Sequence, residues 1–292
     1  MTVTEMKTVI RLRDGSALRP KNGRAAIMGI LNCTPDSFSD GGQCNTPEKS
    51  VERALDMLSD GADIIDIGGE STRPGSDAVP PDEETRRVLP VIRDILRQAP
   101  DALISIDTRK PSVARAALDA GAALINDVSP LSDDPEMLSV ALDYGVPFVL
   151  MHIQGEPKTM QVRPTYDDVM TDILRFLSVR INELVDKGVP RDRIITDPGI
   201  GFGKTVEHNL RLIANLDRFR QLGVATLLGH SRKRFIDDCL SVPMAERDSV
   251  TLAVSAFSVL STGVDILRVH DVRSHARMLR MFERLRGSRE PE

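Results

Sequence analysis

The sequence predicts an α/β chain folded as a single (β/α)8 TIM barrel with an N-terminal β-hairpin. Eight short β-type apolar runs begin near Ala26, Asp63, Ala102, Ala123, Pro147, Arg193, Ala225 and Asp265. Helical patterns separate them, and every run ends in polar or charged side chains. Eight such units without a Pro/Ser-rich linker match the usual barrel size of roughly 250 residues. A doubly wound open sheet would put a Gly-rich phosphate loop after the first strand, but the chain there reads Leu31-Asn32-Cys33-Thr34-Pro35-Asp36. Gly199, Gly201 and Gly203 have a G-x-G-x-G spacing instead.

Taken in order, residues 8–19 alternate apolar and polar around Asp14-Gly15, a hairpin signal. Residues 1–24 are therefore expected as a leader packed on a barrel of residues 25–292. Thr46-Pro47 and Asp134-Pro135 each set an N-cap before a proline suited to the first helical position. Val169, Ile173, Phe176, Leu177, Ile181 and Leu184 form one helical stripe, and Leu252, Ala253, Ala256, Phe257 and Leu260 another. Both are expected to cover the sheet. The stretch from Asp63 to Ser76 shows the barrel recipe most plainly. An aliphatic strand breaks at Gly68-Gly69 and opens into Glu70-Ser71-Thr72-Arg73-Pro74-Gly75, a loop bearing an acid, two hydroxyls and an arginine.

Composition narrows the function. The 292 residues carry 38 basic and 43 acidic side chains, well mixed, for a net charge of -5. That gives no electrostatic footprint for nucleic acid or an anionic membrane. Three cysteines without a C-x-x-C spacing fit a reducing compartment, so cytoplasm is expected. The N-terminus lacks an apolar h-region, and the longest uncharged run, Ser249 to Val264, is short of a membrane span. The five histidines show neither H-x-H nor H-E-x-x-H spacing, and His208 and His275 fall on helices, where they are expected at the surface.

In a barrel all eight strand ends meet on one face, so the residues just beyond the strands make up a census of one pocket. It comprises Asn32; Glu70 to Arg73; Asp107; Asn126-Asp127; His152; Asp197; Ser231-Arg232-Lys233; and Arg268 with His270. Carboxylates at buried strand ends are costly unless they meet donors, so Asp107 and Asp197 invite a ligand with paired N–H groups. With Asn126 and Lys233 they suit the amino-oxo-pyrimidine edge of a pterin. The alternative for either acid is a helix cap. Ser231-Arg232-Lys233 offers donors for a carboxylate or phosphate, and Arg268 and His270, two apart on one strand, face the same way. Asn32 is placed to hold a phosphate-bound Mg2+ through its amide oxygen.

These motifs, in this order, resemble the dihydropteroate synthase family, pterin-binding enzymes of folate biosynthesis. The likeness runs from about Ala25 to the end. It rests on Met28 to Gly42, Asp66 to Gly75, Ser105-Ile106-Asp107-Thr108, Ile125-Asn126-Asp127, Met151 to Gly155, Asp197 to Lys204, Ser231-Arg232-Lys233 and Arg268-Val269-His270-Asp271. The resemblance implies a homodimeric transferase that uses Mg2+ to join 6-hydroxymethyl-7,8-dihydropterin diphosphate to 4-aminobenzoate. It implies a pterin site of Asp107, Asn126, Asp197 and Lys233, walled by Met151 and Val128. Diphosphate would meet Asn32, Arg73, Arg268 and His270. Aminobenzoate would lie against Phe38, Thr72, Pro74, Phe202, Ser231 and Arg232, a pocket that sulfonamides imitate. Loops 33–42 and 70–77 are expected to close over the site. Cys33 and His230 depart from the family's usual residues, without removing a ligand. Rival readings are a methyltransferase on the related barrel, which would not need the Thr72-Arg73-Pro74 and Ser231-Arg232-Lys233 wall, and a non-catalytic pterin-binding paralogue, which should have lost cations that are all present.

Overall fold

The computed structural model describes residues 8–18, 20, 23–34, 46–71, 78–127, 135–155, 160–161 and 164–288. Strands β1 (Ile10–Arg11) and β2 (Ala17–Leu18) form the antiparallel N-terminal hairpin. Eight parallel strands come next: β3 (Ala26–Asn32), β4 (Ile64–Gly68), β5 (Ile104–Asp107), β6 (Leu124–Asp127), β7 (Phe148–Met151), β8 (Ile194–Asp197), β9 (Ala225–Leu228) and β10 (Ile266–Val269). They close into a barrel in which β10 pairs with both β9 and β3. All eight starts expected from the sequence fall within two residues of these strands.

The helices lie between them: α1 (Pro47–Asp60), α2 (Pro81–Gln98), α3 (Pro111–Asp119), α4 (Pro135–Tyr144), α5 (Val169–Asp186), α6 (Val206–Ala214), α7 (Arg234–Leu240), α8 (Arg247–Ser261) and α9 (Val272–Gly287). The first four open on a proline, whose fixed φ and missing N–H cost nothing in a first turn. Thr46 caps α1 by accepting the Lys49 N–H; Asp134 lies outside the described residues.

Strand alternation divides the barrel into two shells. Outward residues such as Ile65, Ile67, Ile106, Ile125 and Leu150 pack beneath the helices. Inward residues Ala26, Met28, Ile64, Leu124, Val149, Ile195, Ala225, Leu227 and Ile266 fill the N-terminal half of the bore, and Ile10 and Leu18 of the hairpin join the same cluster. The lower bore is thus a dry plug. Two residues beyond Ile64, Leu124, Ile195 and Ile266 the inward positions turn polar, to Asp66, Asn126, Asp197 and Arg268, and that change of layer creates the site.

Two expectations are corrected. The α5 stripe is buried as predicted, with Phe176 half-buried. The α8 stripe is not: Ala253, Phe257 and Leu260 face outward, Phe257 being 46% exposed. The buried face of α8 is Arg247, Thr251, Ser255, Ser258 and Val259, where Thr251 and Ser255 meet buried polar groups beneath the site. His275, expected at the surface, is fully buried between its contacts to Ser255 Oγ (2.9 Å) and Asp271 O (2.6 Å).

Candidate active site

The floor of the bowl is the second inward layer: Asp66, Asn126, Met151, Asp197 and Arg268, with Asp107 beside them. Register brings them level. Gly68 pairs with Asp107 and Asp107 with Asn126, while Met151 pairs with Asp197. Arg268 spans the bore, its Nε donating to Asp66 Oδ2 at 2.6 Å and Nη2 to Asp107 Oδ2 at 2.5 Å. Asn126 Nδ2 donates to the same Asp66 oxygen at 2.9 Å. Gly229 opens the opposite side: a Cβ there would stand 3.3 Å from Asp197 Oδ2.

This floor holds more acid than nearby cations can neutralise. Burial pushes the Asp107 carboxyl up to about 7, opposed by Arg268 and reinforced by Asp66, Glu84 and Asp127. Burial raises Asp197 too, although Lys233 and the Gly199 N–H, bonded to its Oδ1 at 2.7 Å, pull it back. Asp197 thus pins the first residues of its own loop, and Asp107 caps nothing. The Lys233 ammonium is brought down to about 8 by burial, against Asp197. Burial opposes the charge of Arg268 as well, but Asp66 and Asp107 hold its guanidinium above the ordinary value. Asp107 Oδ1 and Asp66 Oδ1 are buried without a hydrogen-bond partner in the protein. Such orphan acceptors suit a ligand with donors.

The rim is cationic and hydroxylic. Ser231 Oγ accepts the His270 backbone N–H at 3.2 Å and lies 2.9 Å from its Nδ1. A serine oxygen can both accept and donate, so which of Ser231 Oγ and Nδ1 carries the shared proton follows the imidazole tautomer. Arg232 has the left-handed φ of 59°, a strained choice for a residue with a Cβ. Helix α8 holds it there: Thr251 Oγ1 accepts its N–H at 3.1 Å, and Asp248 takes its guanidinium in a two-toothed pair at 2.7 and 2.8 Å. Lys233 Nζ donates to Ile200 O and stands 4.3 Å above the Phe202 ring. Asn32 ends β3, half-buried, level with Gly68.

The described strand-end candidates thus share one face. Asp107, Asn126 and Arg268 meet directly or through Asp66, Ser231 meets His270, and Lys233 meets Phe202. Phe38, Thr72, Arg73, Pro74 and Val128, and most of loops 33–42 and 70–77, lie outside the described residues. Sequence reasoning gives no role to Asp66, which orients both Asn126 and Arg268. Its signal is the alternation Ile64, Asp66, Gly68, which points an acid into the bore. Also unassigned is the cluster beside the 70–77 loop, where Glu70 takes Lys110 Nζ at 2.6 Å, Arg109 Nη2 at 2.9 Å and the Val79 N–H at 2.7 Å. Buried Glu84 takes the same ammonium.

Fold and floor together define a closed parallel barrel whose polar end carries buried carboxylates beneath a rim of cations and hydroxyls. The family model for pterin binding enzymes matches residues 28–270. A dihydropteroate synthase of Streptococcus pyogenes is 46% identical over 266 residues, which cover 90% of this chain and 97% of that one. The solved Yersinia pestis dihydropteroate synthase with a sulfonamide drug superposes with a TM-score of 0.88 at 41% identity, over 96% of this chain and 100% of that one. The Xanthomonas albilineans dihydropteroate synthase in complex with 7,8-dihydropteroate gives 0.80 at 40% identity, over 91% and 95%. The chain belongs to the pterin binding enzymes and, within them, to the dihydropteroate synthase family.

Replacing Asp66 tests the floor. Asp66→Asn leaves the Arg268 Nε and Asn126 contacts without a charge at a buried site, and breaking such a pair costs about 3–5 kcal/mol. Urea unfolding of the variant should show a loss of that order; a loss below about 1 kcal/mol would mean that Asp66 does not organise the floor.

Proposed function

We propose that this chain catalyses the dihydropteroate synthase reaction: 6-hydroxymethyl-7,8-dihydropterin diphosphate and 4-aminobenzoate give 7,8-dihydropteroate and diphosphate. The observation that carries this reading is the buried floor of Asp107, Asn126 and Asp197, with two acid oxygens lacking donors, beside the cations Arg268 and Lys233. The pterin's ring N–H and amino groups supply the missing donors, and its oxo and ring nitrogen acceptors take those of Asn126 and Lys233. Met151 supplies an apolar wall, as does Val128 on the family pattern. Aminobenzoate occupies the side of Phe202, Ser231 and Arg232, with Phe38, Thr72 and Pro74 completing that wall.

Donors charged by the protein stabilise the transition state most where charge develops. The bond between the pterin methylene and the diphosphate oxygen breaks, its electron pair leaving with diphosphate. The methylene becomes cationic, and ionised Asp107 stabilises the positive charge delocalised into the ring. Arg268 and His270, joined by Arg73 on the family pattern, receive the anion. The aminobenzoate nitrogen then forms the C–N bond and sheds one proton. The chain needs neither a covalent intermediate nor a dedicated strong base. A second function on the same barrel, methyl transfer, is less well supported, since it has no use for the Ser231 and Arg232 wall.

We assign Mg2+ carried on the substrate to Asn32. Among the described residues no three His, Cys, Asp or Glu side chains converge as a metal cage. Asn32 offers one half-buried amide oxygen. A single hard oxygen ligand, with phosphate and water for the rest, is a common arrangement for Mg2+. When bound, the ion supplies neutralisation of the diphosphate charge.

The outward Ala253, Phe257 and Leu260 of α8 are the kind of apolar surface that a second copy covers, which supports a homodimer. No helix among the described residues is long and apolar enough to cross a membrane. With few cysteines, no basic patch and small-molecule substrates, we read the protein as cytoplasmic, as one barrel of residues 25–292 preceded by a 1–24 leader, and as no binder of nucleic acid or membrane.

Purified protein supplied with both substrates and Mg2+ should form 7,8-dihydropteroate; absence of product would end this reading. Asp107→Asn should lower kcat by about 100-fold or more at saturating substrates, and unchanged turnover would remove Asp107 from its role. Sedimentation should report twice the chain mass for the native protein and a single chain for the double variant Phe257→Asp, Leu260→Asp. A native monomer would refute the dimer.

A further inference from the structure

The segment after β8 contains a construction that the reaction above leaves without a purpose. Four consecutive carbonyls, Ile200 to Gly203, each accept from the side chain of a different residue. Lys233 Nζ donates to Ile200 O and Gln161 Nε2 to Gly201 O. Lys204 Nζ donates to Phe202 O at 2.9 Å, and Tyr166 Oη to Gly203 O at 2.8 Å. The turn is thus built largely by side chains reaching in from outside it. It is also packed to contact: a Cβ on Gly199, whose φ is +72°, would stand 1.9 Å from His152 O. Its one aromatic side chain is Phe202.

Of the four donors, Lys204 is the one seated in the interior. It is 3% exposed, and its three N–H groups meet three neutral acceptors: Phe202 O at 2.9 Å, His152 Nδ1 at 3.0 Å and His152 O at 3.3 Å. It therefore ties the turn that carries Phe202 to the exit of β7, directly after Met151. Burial brings this ammonium down to about 7 despite Asp197, and brings His152 down to about 3, which keeps the imidazole neutral and able to accept. No carboxylate bonds to Lys204 among the described residues. A buried cation spent on carbonyls holds a backbone path and does not neutralise an acid.

We infer that Lys204 is a positioning residue for aminobenzoate: by holding the Phe202 carbonyl against the end of β7, it sets where the Phe202 ring stands and so fixes the width of the aminobenzoate side of the pocket. Phe202 in turn lies under Lys233, which donates to Ile200 O and feels Asp197 across the floor through charge alone. Loss of Lys204 frees the ring while leaving the pterin floor of Asp107, Asn126 and Asp66 in place. The inference rests on the reading that Phe202 lines the aminobenzoate side.

The test is a pair of variants, Lys204→Met and Lys204→Gln, in the full-length protein. Both are assayed for the KM of each substrate and for the Kd of the pterin diphosphate measured without aminobenzoate, with thermal melting as the control for folding. Lys204→Met, which keeps the stem and removes all three donors, should raise the aminobenzoate KM about tenfold or more while changing the pterin Kd by less than about threefold. Lys204→Gln, which retains two N–H donors, should fall between it and the wild type. If Lys204→Met does not fold, a rise of about threefold or more in the aminobenzoate KM of Lys204→Gln still supports the inference. An unchanged aminobenzoate KM in whichever variants fold overturns it, as does an equal loss of affinity for both substrates, which would mark Lys204 as a structural residue only. A wild-type protein that forms no dihydropteroate at all would instead refute the functional reading on which the inference stands.

Discussion

The guanidinium of Arg268, stretched between Asp66 and Asp107, is the interaction on which the rest of the site depends. A buried charge must be paired or it moves its protonation state, and here the pairing is incomplete. One cation bridges two acids, Asp197 meets the Gly199 N–H and only the more distant charge of Lys233, and two carboxylate oxygens are left without donors. Ion pairs of this kind are seldom net contributors to stability, since the desolvation of the charges offsets their attraction. The floor is better understood as a place held ready for a ligand that brings N–H groups and, during reaction, positive charge.

The barrel makes that possible through a change of layer. The hairpin and the lower inward residues form an apolar plug, so the polar layer above has no access to water from below. Strand alternation places Asp66, Asn126, Asp197 and Arg268 at the next inward position, two residues beyond Ile64, Leu124, Ile195 and Ile266. Around this floor the rim is held from outside the barrel. Helix α8 uses Asp248 and Thr251 to keep Arg232 in a strained left-handed conformation, and its Ser255 sits 3.0 Å from His230 and 2.9 Å from His275. Across the bowl the carbonyls of residues 200–203 are held by four side chains, three from outside the turn and one, Lys204, from its own end. Rigid strands supply the floor, and borrowed side-chain donors shape the walls.

Much of this is legible in the residues. The eight strand starts, the proline-opened helices and the strand-end census lead to the closed barrel and its bowl, because these depend on local periodicity and on a topology with one polar face. Orientation that only tertiary packing decides is not legible. The spacing of Ala253, Phe257 and Leu260 correctly indicates a helix face, but spacing does not say toward what. Here the hydroxyl face turns inward because His230, His275 and the Arg232 N–H need partners, leaving the apolar stripe outside. His275 misleads for the same reason: a histidine on a helix looks solvated until its two buried partners are known. Arg268 reads as an anion ligand, whereas its resting partners are two acids 202 and 161 residues away in sequence. Asp66 opens the motif that runs to Gly75 but gains a purpose only once β10, β3, β4, β5 and β6 are side by side.

Burial, on this account, holds the floor carboxyls, Asp107 above all, partly protonated until a donor-rich ligand arrives. The sign is definite. A carboxyl raised to about 7 is mostly protonated at pH 6, and a ligand that presents N–H groups and prefers the carboxylate must expel that proton as it binds. Calorimetric titration of a pterin ligand at pH 6, in buffers of differing ionisation enthalpy, measures this directly. The account predicts release of about one proton per site at about pH 6, falling toward zero by about pH 8, where Asp107 is already ionised. Binding without proton release at pH 6, or with uptake, would contradict it.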